Sequence, residues 1–249
     1  MKAFLTALQF LTRIRVASQQ DFSAEGFGRS VRYFPLVGAV IGAILAAFYY
    51  LAEGYLPSHV LAAGLVVLEI LLTGGIHTDG LMDTADGVFS GRSQERMLEI
   101  MKDSRVGANG VAVFGCVLLL KWSLIMDLPP GLAMGALFVM PTISRMAMVM
   151  GITLFPYARP EGMGKAFAEF AGKKAFLFAI GLTLILIAPM RWFALPAALT
   201  AVTFTWLFAV YVTRILGGLT GDVYGAIAEL NEILVLAVVL VAVKVNLVF

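Results

Sequence analysis

Six of the sixteen acidic residues in this 249-residue chain lie in one stretch, residues 74–110, between two strongly apolar segments. Asp79, Asp83 and Asp86 are spaced four and three residues apart, so a helix over residues 77–87 would place all three on one face. No Lys or Arg lies among them to offset their repulsion. Carboxylate oxygens are ligands for hard divalent cations such as magnesium or manganese. The spacing therefore predicts a metal site formed by these three aspartates.

Basic residues follow the aspartates closely, and they suggest what the metal would hold. Lys102 and Arg105 are predicted to contact phosphate, because membrane anchoring explains the two cations but not Asp103 between them. One carboxylate, Asp86 or Asp103, would take a proton from an attacking hydroxyl group. His77 could be a metal ligand, a general base or a hydrogen-bond donor to phosphate. The alternative to this polyphosphate site is a surface helix with unbalanced charge.

Several ionisable residues lie outside this stretch, and the sequence leaves their roles open. Glu69 falls within an apolar segment and could line the site or be paired structurally. Arg145 also lies in an apolar segment, where it should meet a carboxylate or a substrate phosphate. Asp222, Glu229 and Glu232 could form a second metal or substrate subsite, or could face water beside lipid headgroups. Arg145 and Asp222 are predicted as substrate-binding residues.

Four glycines predict close approach between chain segments. Gly38 and Gly42 have the four-residue spacing of small residues that pack one membrane helix against another. Gly80 and Gly87 each follow an aspartate, and they would let a bulky substrate or a neighbouring helix come close to the backbone.

Composition places these residues in an integral membrane protein. The chain is 60% hydrophobic and 14% charged, and its mean hydropathy is +0.92. A net charge of +2 with scattered basic residues gives no reason to expect a nucleic-acid partner. Cys116 is the sole cysteine, which excludes an internal disulfide and a thiolate metal site. Because the sequence shows no repeat or linker, residues 1–249 are predicted to form one domain. Membrane lipid is predicted to surround this domain.

The predicted fold is an all-α polytopic membrane helical bundle. Residues 1–16 predict an amphipathic helix at the membrane surface. About seven spans are predicted, at residues 34–52, 58–73, 108–126, 132–155, 175–190, 192–212 and 233–249. The sequence leaves the oligomeric state open and is compatible with a homo-oligomer.

The basic residues between these spans predict the orientation of the chain. Alternate loops divide them into a large group on one side and Arg191 alone on the other. The large group consists of Lys2, Arg13, Arg15, Arg29, Arg32, Arg92, Arg96, Lys102, Arg105, Arg159, Lys165, Lys173, Lys174 and Arg214. Cytoplasmic loops of membrane proteins are rich in Lys and Arg. The acidic stretch and the other polar loops are therefore predicted to face the cytoplasm of a prokaryotic inner membrane.

Three long motifs resemble the signatures of the cobalamin synthase family, the adenosylcobinamide-GDP ribazoletransferases. They are GGIHTDGLMDTADG at residues 74–87, ERMLEIMKDSRVGANG at residues 95–110 and GGLTGDVYGAIAELNE at residues 217–232. FLTRIRV at residues 10–16 and YFPLVGAVIG at residues 33–42 resemble the opening of that family. The resemblance covers nearly the whole chain.

The resemblance implies a magnesium-dependent membrane enzyme that acts late in vitamin B12 synthesis. Adenosylcobinamide-GDP would give its cobinamide-phosphate group to a ribose hydroxyl of alpha-ribazole or alpha-ribazole 5'-phosphate, with release of GMP. Both the residues and the resemblance thus call for a metal-held pyrophosphate that is attacked by a hydroxyl group.

Two other functions fit parts of this pattern but not all of it. A CDP-alcohol phosphatidyltransferase also uses clustered aspartates, but its DGxxAR motif followed by GxxxDxxxD is not found in this sequence. A transporter or channel would place its carboxylates in broken helices near the membrane midplane, whereas the sequence puts these aspartates in one long loop.

Overall fold

A computed structural model describes residues 2–16 and 23–245 of the chain. Within these residues the fold is all-helical, as predicted. The helices are α1 (Lys2–Leu11), α2 (Ala24–Ser30), α3 (Phe34–Ala52), α4 (Ser58–Thr73), α5 (Ile76–Val88), α6 (Gln94–Ile100), α7 (Ala108–Met126), α8 (Pro130–Leu154), α9 (Met163–Phe170), α10 (Lys173–Ile187), α11 (Arg191–Leu216) and α12 (Gly221–Lys244). Short 3-10 segments precede α3 and α11.

Six of the described helical segments are long and apolar enough to cross a membrane, and a seventh is added if α4 and α5, which meet at 91°, count as one bent span. They are α2 continued into α3, then α7, α8, α10, α11 and α12. The backbone N–H of Arg13 donates to the Leu72 carbonyl (2.7 Å), so the end of α4 lies beside the N-terminal arm. The indole of Trp122, near the end of α7, donates to the carbonyl of His59 (2.9 Å) at the start of α4. Helix α4 therefore runs from one end of the bundle to the other, as the prediction of about seven spans required.

The last span begins much earlier than the sequence predicted. Helix α12 starts at Gly221 rather than at residue 233, so Asp222, Glu229 and Glu232 lie on a helix and not in a loop. Lys244 lies in the last turn of this helix, so it joins Arg191 at the end of the bundle where Arg191 was predicted to be the sole basic residue. The predicted span extends to residue 249, and residues 246–249 lie outside the described part of the chain.

The glycines of α3 pack against α8, which confirms the predicted small-residue contact. A Cβ atom on Gly42 would lie 2.6 Å from the carbonyl oxygen of Phe138, and one on Gly38 would collide with the carbonyl of Pro141. Contacts this close exclude any side chain larger than hydrogen. Helix α8 is thereby held at the centre of the bundle, where it also contacts α10, α11 and α12.

The polar loops meet at one end of the bundle. Between the α8–α9 and α11–α12 connections, Ala158 N–H donates to the Leu219 carbonyl and Leu219 N–H donates to the Pro156 carbonyl, both at 2.8 Å. The Gln94 side chain of α6 donates to the carbonyl of Leu216 at the end of α11 (3.0 Å). The sequence placed these loops on the same side, and the structure confirms that they adjoin.

An ionic cluster lies in the interior of the bundle. Lys121 of α7 donates to Glu69 of α4 (3.2 Å), to Glu229 of α12 (2.9 Å) and to Glu232 of α12. Arg145 of α8 is bonded to Glu232, and its guanidinium lies 3.9 Å from Glu69. All five residues are at least nine-tenths buried. These five residues, called the ionic cluster below, join four helices.

The ionic cluster resolves the alternatives that the sequence left open. Glu69 is paired structurally and does not line a site. Arg145 meets a carboxylate rather than a substrate, with only 1% of its surface exposed. For Glu229 and Glu232 the expectation of a second subsite or of a water-facing position was wrong, because they are the partners of Lys121. Lys121, the cation at the centre, was not singled out from the sequence.

Replacing Lys121 should destabilise the protein far more than replacing a surface lysine. Lys121→Met leaves three buried carboxylates with one cation among them, and removing one partner of a buried ion pair costs about 3–5 kcal/mol. Lys174→Met, at an exposed position, serves as the matched control. Thermal unfolding of purified protein in detergent should show a large fall in Tm for Lys121→Met alone. Combining it with Glu229→Gln should recover part of the loss; equal Tm values for the two lysine variants would contradict the role of the ionic cluster.

Candidate active site

Helix α5, which carries the predicted aspartates, is set at a sharp angle to the span before it. The axes of α4 and α5 differ by 91°. Gly74 and Gly75 allow this bend, because both have left-handed backbone conformations (φ 65° and 72°) that glycine adopts without strain. Helix α5 therefore turns away from the axis of α4, at the end of the bundle where the polar loops meet. The predicted helix over residues 77–87 is confirmed.

Two glycines bring α5 close to the start of α12. A Cβ atom on Gly80 would lie 2.6 Å from the backbone oxygen of Asp222, and one on Gly225 would lie 2.9 Å from the backbone oxygen of His77. The predicted close approach at Gly80 is therefore to a neighbouring helix. It places the carboxylate of Asp222, 145 residues away from His77 in the chain, beside the aspartates of α5.

The carboxylates at this junction repel one another, as shown by Asp83. Burial raises the pKa of Asp83 to about 7, and the nearby carboxylates of Asp222 and Asp79 contribute to the increase. Arg159 opposes the increase and forms a 2.7 Å ion pair with Asp222. Asp79 is exposed and Asp83 is half-buried. The site thus holds more negative than positive charge.

Asp86, the third predicted ligand, is turned toward the start of α7. Its carboxylate accepts hydrogen bonds from the backbone N–H groups of Gly107 (2.7 Å) and Gly110 (2.8 Å). Anionic side chains stabilise helix N-termini, because unpaired N–H groups and the helix dipole are both satisfied there. Both oxygens are engaged in this way, so the structure gives Asp86 a positioning role. The predicted metal and proton-transfer roles of Asp86 stay predictions.

The basic residues after the aspartates lie at the surface. Arg105 forms an ion pair with Asp103, and its hydrogen bonds lower the pKa of that carboxyl to about 2. Lys102 is also exposed. None of the three lines the cavity described below. The structure instead brings Arg159 to the aspartates. In the sequence analysis Arg159 served only to predict orientation, although its position in the glycine-rich loop after α8 could have indicated a role in the site.

A cavity of about 280 Å³ opens beside the carboxylates. Asp79, Asp222, Arg159 and His77 are among the residues that line it. Its other walls come from α1, α3, α8, α9, the loop after α8 and the first turns of α12: Phe10, Leu11, Phe34, Met148, Ile152, Tyr157, Gly162, Gly164, Phe167, Gly221, Tyr224 and Gly225. Ile76 and Gly80 complete the α5 side. Charged and apolar groups thus share one cavity.

The residues at the cavity mouth suit a hard divalent cation that arrives with its substrate. Asp79 and Asp222 offer carboxylate oxygens, and a cation would relieve the repulsion felt by Asp83. In residues 2–16 and 23–245, no three His, Cys, Asp or Glu side chains are gathered as a ready-made metal site. Mg²⁺ usually takes only one or two protein carboxylates and completes its coordination with water and substrate phosphates. The donor set therefore fits such an ion.

The fold and the cavity define a polytopic membrane protein with a polar site at one end of its helical bundle. The chain belongs to the cobalamin-5-phosphate synthase family, whose profile matches residues 3–240. This match includes every residue that lines the cavity.

Similar proteins match nearly the whole chain and share a common name. The adenosylcobinamide-GDP ribazoletransferase of Desulfitobacterium hafniense (strain Y51) is 43% identical over 242 residues, which cover 95% of each chain. The protein of that name from Desulforamulus reducens is 43% identical over 248 residues and 97% of each chain. The one from Acetivibrio thermocellus is 38% identical over 93% of this chain and 94% of its own. No solved structure matches the chain.

The raised pKa of Asp83 predicts that the metal-free protein loses stability as pH rises. A carboxyl whose pKa is about 7 in the folded protein binds more protons when folded than when unfolded between about pH 4 and pH 7. In EDTA, Tm should therefore fall through this range. Asp83→Asn should flatten the fall, whereas Asp127→Asn, at an exposed position at the opposite end, should not. Identical pH profiles of Tm for wild type and Asp83→Asn would show that the pKa of Asp83 is not raised in the folded protein.

Proposed function

We propose that this protein is an adenosylcobinamide-GDP ribazoletransferase. It transfers the cobinamide-phosphate group of adenosylcobinamide-GDP to a ribose hydroxyl of alpha-ribazole or its 5'-phosphate and releases GMP, in the late nucleotide-loop step of cobalamin synthesis. The observation that carries the proposal is the convergence of Asp79, Asp222 and Arg159 on one cavity, with Asp83 close behind them, in a chain of this family. Carboxylates and one arginine are the groups needed to hold a pyrophosphate and its cation.

Asp79 and Asp222 are proposed to hold Mg²⁺ on the pyrophosphate of the substrate. When bound, the ion neutralises phosphate charge and stabilises the departing GMP. This proposal replaces Asp86 by Asp222, because Asp86 already accepts two backbone hydrogen bonds at the start of α7. Asp222, in contrast, lines the cavity beside Asp79.

Arg159 is proposed to bind the phosphate oxygens, the role first predicted for Lys102 and Arg105. Its guanidinium lies at the cavity, and its buried Nε has no hydrogen-bond partner. A guanidinium can bind one carboxylate and still present further donors to phosphate. The ion pair with Asp222 thus orients Arg159 toward the same group that the cation holds.

The proton of the attacking hydroxyl is proposed to move to a carboxylate oxygen of Asp83. The hydroxyl oxygen forms a bond to the phosphorus on the cobinamide side, and the bond from that phosphorus to the GMP oxygen breaks. Asp83 is half-buried, and burial raises the pKa of its carboxyl above the usual range, which favours acceptance of a proton. His77, which lines the cavity, is placed to orient the hydroxyl group.

The cavity end of the bundle is proposed to face the cytoplasm of a prokaryotic inner membrane. The loops that meet at this end carry most of the basic residues, and Lys and Arg are enriched in cytoplasmic loops. GDP-linked substrates and Mg²⁺ are available on that side.

Purified protein in detergent should release GMP when given adenosylcobinamide-GDP, alpha-ribazole and Mg²⁺. EDTA should stop the reaction, and Asp83→Asn should abolish turnover while the protein still folds, as checked by its Tm and gel-filtration profile. Product analysis by mass spectrometry separates this function from a lipid phosphatidyltransferase, which would need a CDP-alcohol. Near-normal GMP release by Asp83→Asn at saturating Mg²⁺ would remove Asp83 from the chemistry.

Two arginine variants distinguish the cavity from the surface as the phosphate-binding site. Arg159→Gln should lower kcat/KM for adenosylcobinamide-GDP about a hundredfold, the typical loss for a group that stabilises charge in the transition state. Arg105→Gln should stay within about twofold of wild type, because a solvated surface pair contributes little. The reverse pattern would restore the first prediction for Arg105.

A further inference from the structure

One side of the cavity is a wall of aromatic rings. Phe10 of α1, Phe34 of α3 and Phe167 of α9 all line the cavity. The Phe10 and Phe167 rings meet edge-to-face with centroids 5.0 Å apart, and the Phe34 and Phe167 rings do so at 5.7 Å. Rings held in this way offer a rigid apolar surface on which a flat ligand can pack. Phosphate chemistry does not require such a surface.

Buried polar atoms without partners interrupt this apolar lining. Tyr224 of α12 and His77 of α5 both line the cavity and are only 2% and 3% exposed. Tyr224 Oη and His77 Nε2 have no hydrogen-bond partner within the described protein. An unpartnered buried donor is destabilising, and a ligand atom that accepts its hydrogen bond removes the penalty. The cavity is therefore built for a mainly apolar ligand with few polar atoms.

The size and polarity of the cavity discriminate among the parts of the proposed substrates. At about 280 Å³ the cavity lies at the small end of ligand sites, which span roughly 300–1,000 Å³, so it excludes a corrin macrocycle. Guanine has polar atoms along most of its edge, and beside the phenylalanine rings Tyr224 and His77 offer too few partners to replace the water that these atoms would lose. A benzimidazole ring is flat and apolar, with one free ring nitrogen.

We propose that this cavity holds the aromatic base of the acceptor nucleoside, with Tyr224 Oη donating a hydrogen bond to the free ring nitrogen. The inference rests on the proposed function and assigns a place to its second substrate. With the base against the phenylalanine rings, the attached ribose lies toward Asp79, which is exposed at the mouth of the cavity. The hydroxyl group of this ribose then approaches the phosphate of adenosylcobinamide-GDP from within the cavity.

Calorimetric titration of the full-length protein in lipid nanodiscs tests this assignment. Tyr224→Phe, which keeps the ring and removes the hydroxyl, should weaken binding of alpha-ribazole about tenfold, the loss expected for one hydrogen bond. Binding of GMP should change by less than about twofold. Tyr50→Phe, on the exposed surface of α3, is the matched control and should leave both affinities unchanged. The free base 5,6-dimethylbenzimidazole should bind to wild type and be weakened by Tyr224→Phe in the same way.

Two outcomes would overturn the assignment. If Tyr224→Phe weakens GMP and not alpha-ribazole, the cavity holds guanine; if it weakens neither, the cavity holds no part of either nucleotide. These titrations need no turnover, so they are separate from the GMP-release assay. If the wild type releases GMP but Tyr224→Phe binds alpha-ribazole normally, the proposed function stands and this inference alone is wrong.

Photolabelling of wild type gives a result that does not depend on the folding of a variant. An azidobenzimidazole riboside, irradiated with the protein in nanodiscs, should label peptides containing Phe10, Phe167 or Tyr224. Excess alpha-ribazole should prevent the labelling. Labels confined to peptides outside the cavity would overturn the assignment.

Discussion

The placement of five ionised side chains inside a membrane bundle is the constraint on which the rest of this structure depends. Glu232 lies 11 residues into α12, about 16 Å from its start, which is near the middle of a bilayer core of roughly 30 Å. A charge at that depth is tolerated only when it is paired. Lys121 has three carboxylate partners and Arg145 has two. The four helices that carry these residues are therefore fixed in register with one another.

The register set by the ionic cluster extends to the cavity. The hydroxyl of Thr78 on α5 donates to Glu229 (3.0 Å), so the cluster also holds the helix that carries the aspartates. One turn further toward the surface, the glycine contacts between α5 and α12 bring Asp222 beside the α5 carboxylates. Asp86 then joins the end of α5 to the start of α7. Stability in the membrane and the geometry of the site arise from the same helix contacts.

The site combines two environments that suit two different kinds of chemistry. Its mouth holds carboxylates with a single paired arginine, and the excess negative charge there favours a cation and its phosphate ligand. Its interior is aromatic and apolar, which favours a flat ring over an anion. In the proposed reaction, the first environment suits the phosphorylated donor and the second suits the nucleoside acceptor.

The sequence by itself determined the membrane class, the approximate spans, the helix over the aspartates, the contact of α3 glycines with another helix and the meeting of polar loops at one end. These properties follow from composition and from periodicities of a few residues, which act locally. Only the tertiary structure decided that Asp86 binds the start of α7, that Arg159 rather than Lys102 or Arg105 reaches the cavity, and that Lys121 centres the ionic cluster. Each of these depends on which helix faces which. Helix packing decides which residues a charged side chain meets when they are more than 20 residues away in the chain. No local sequence pattern encodes such partners.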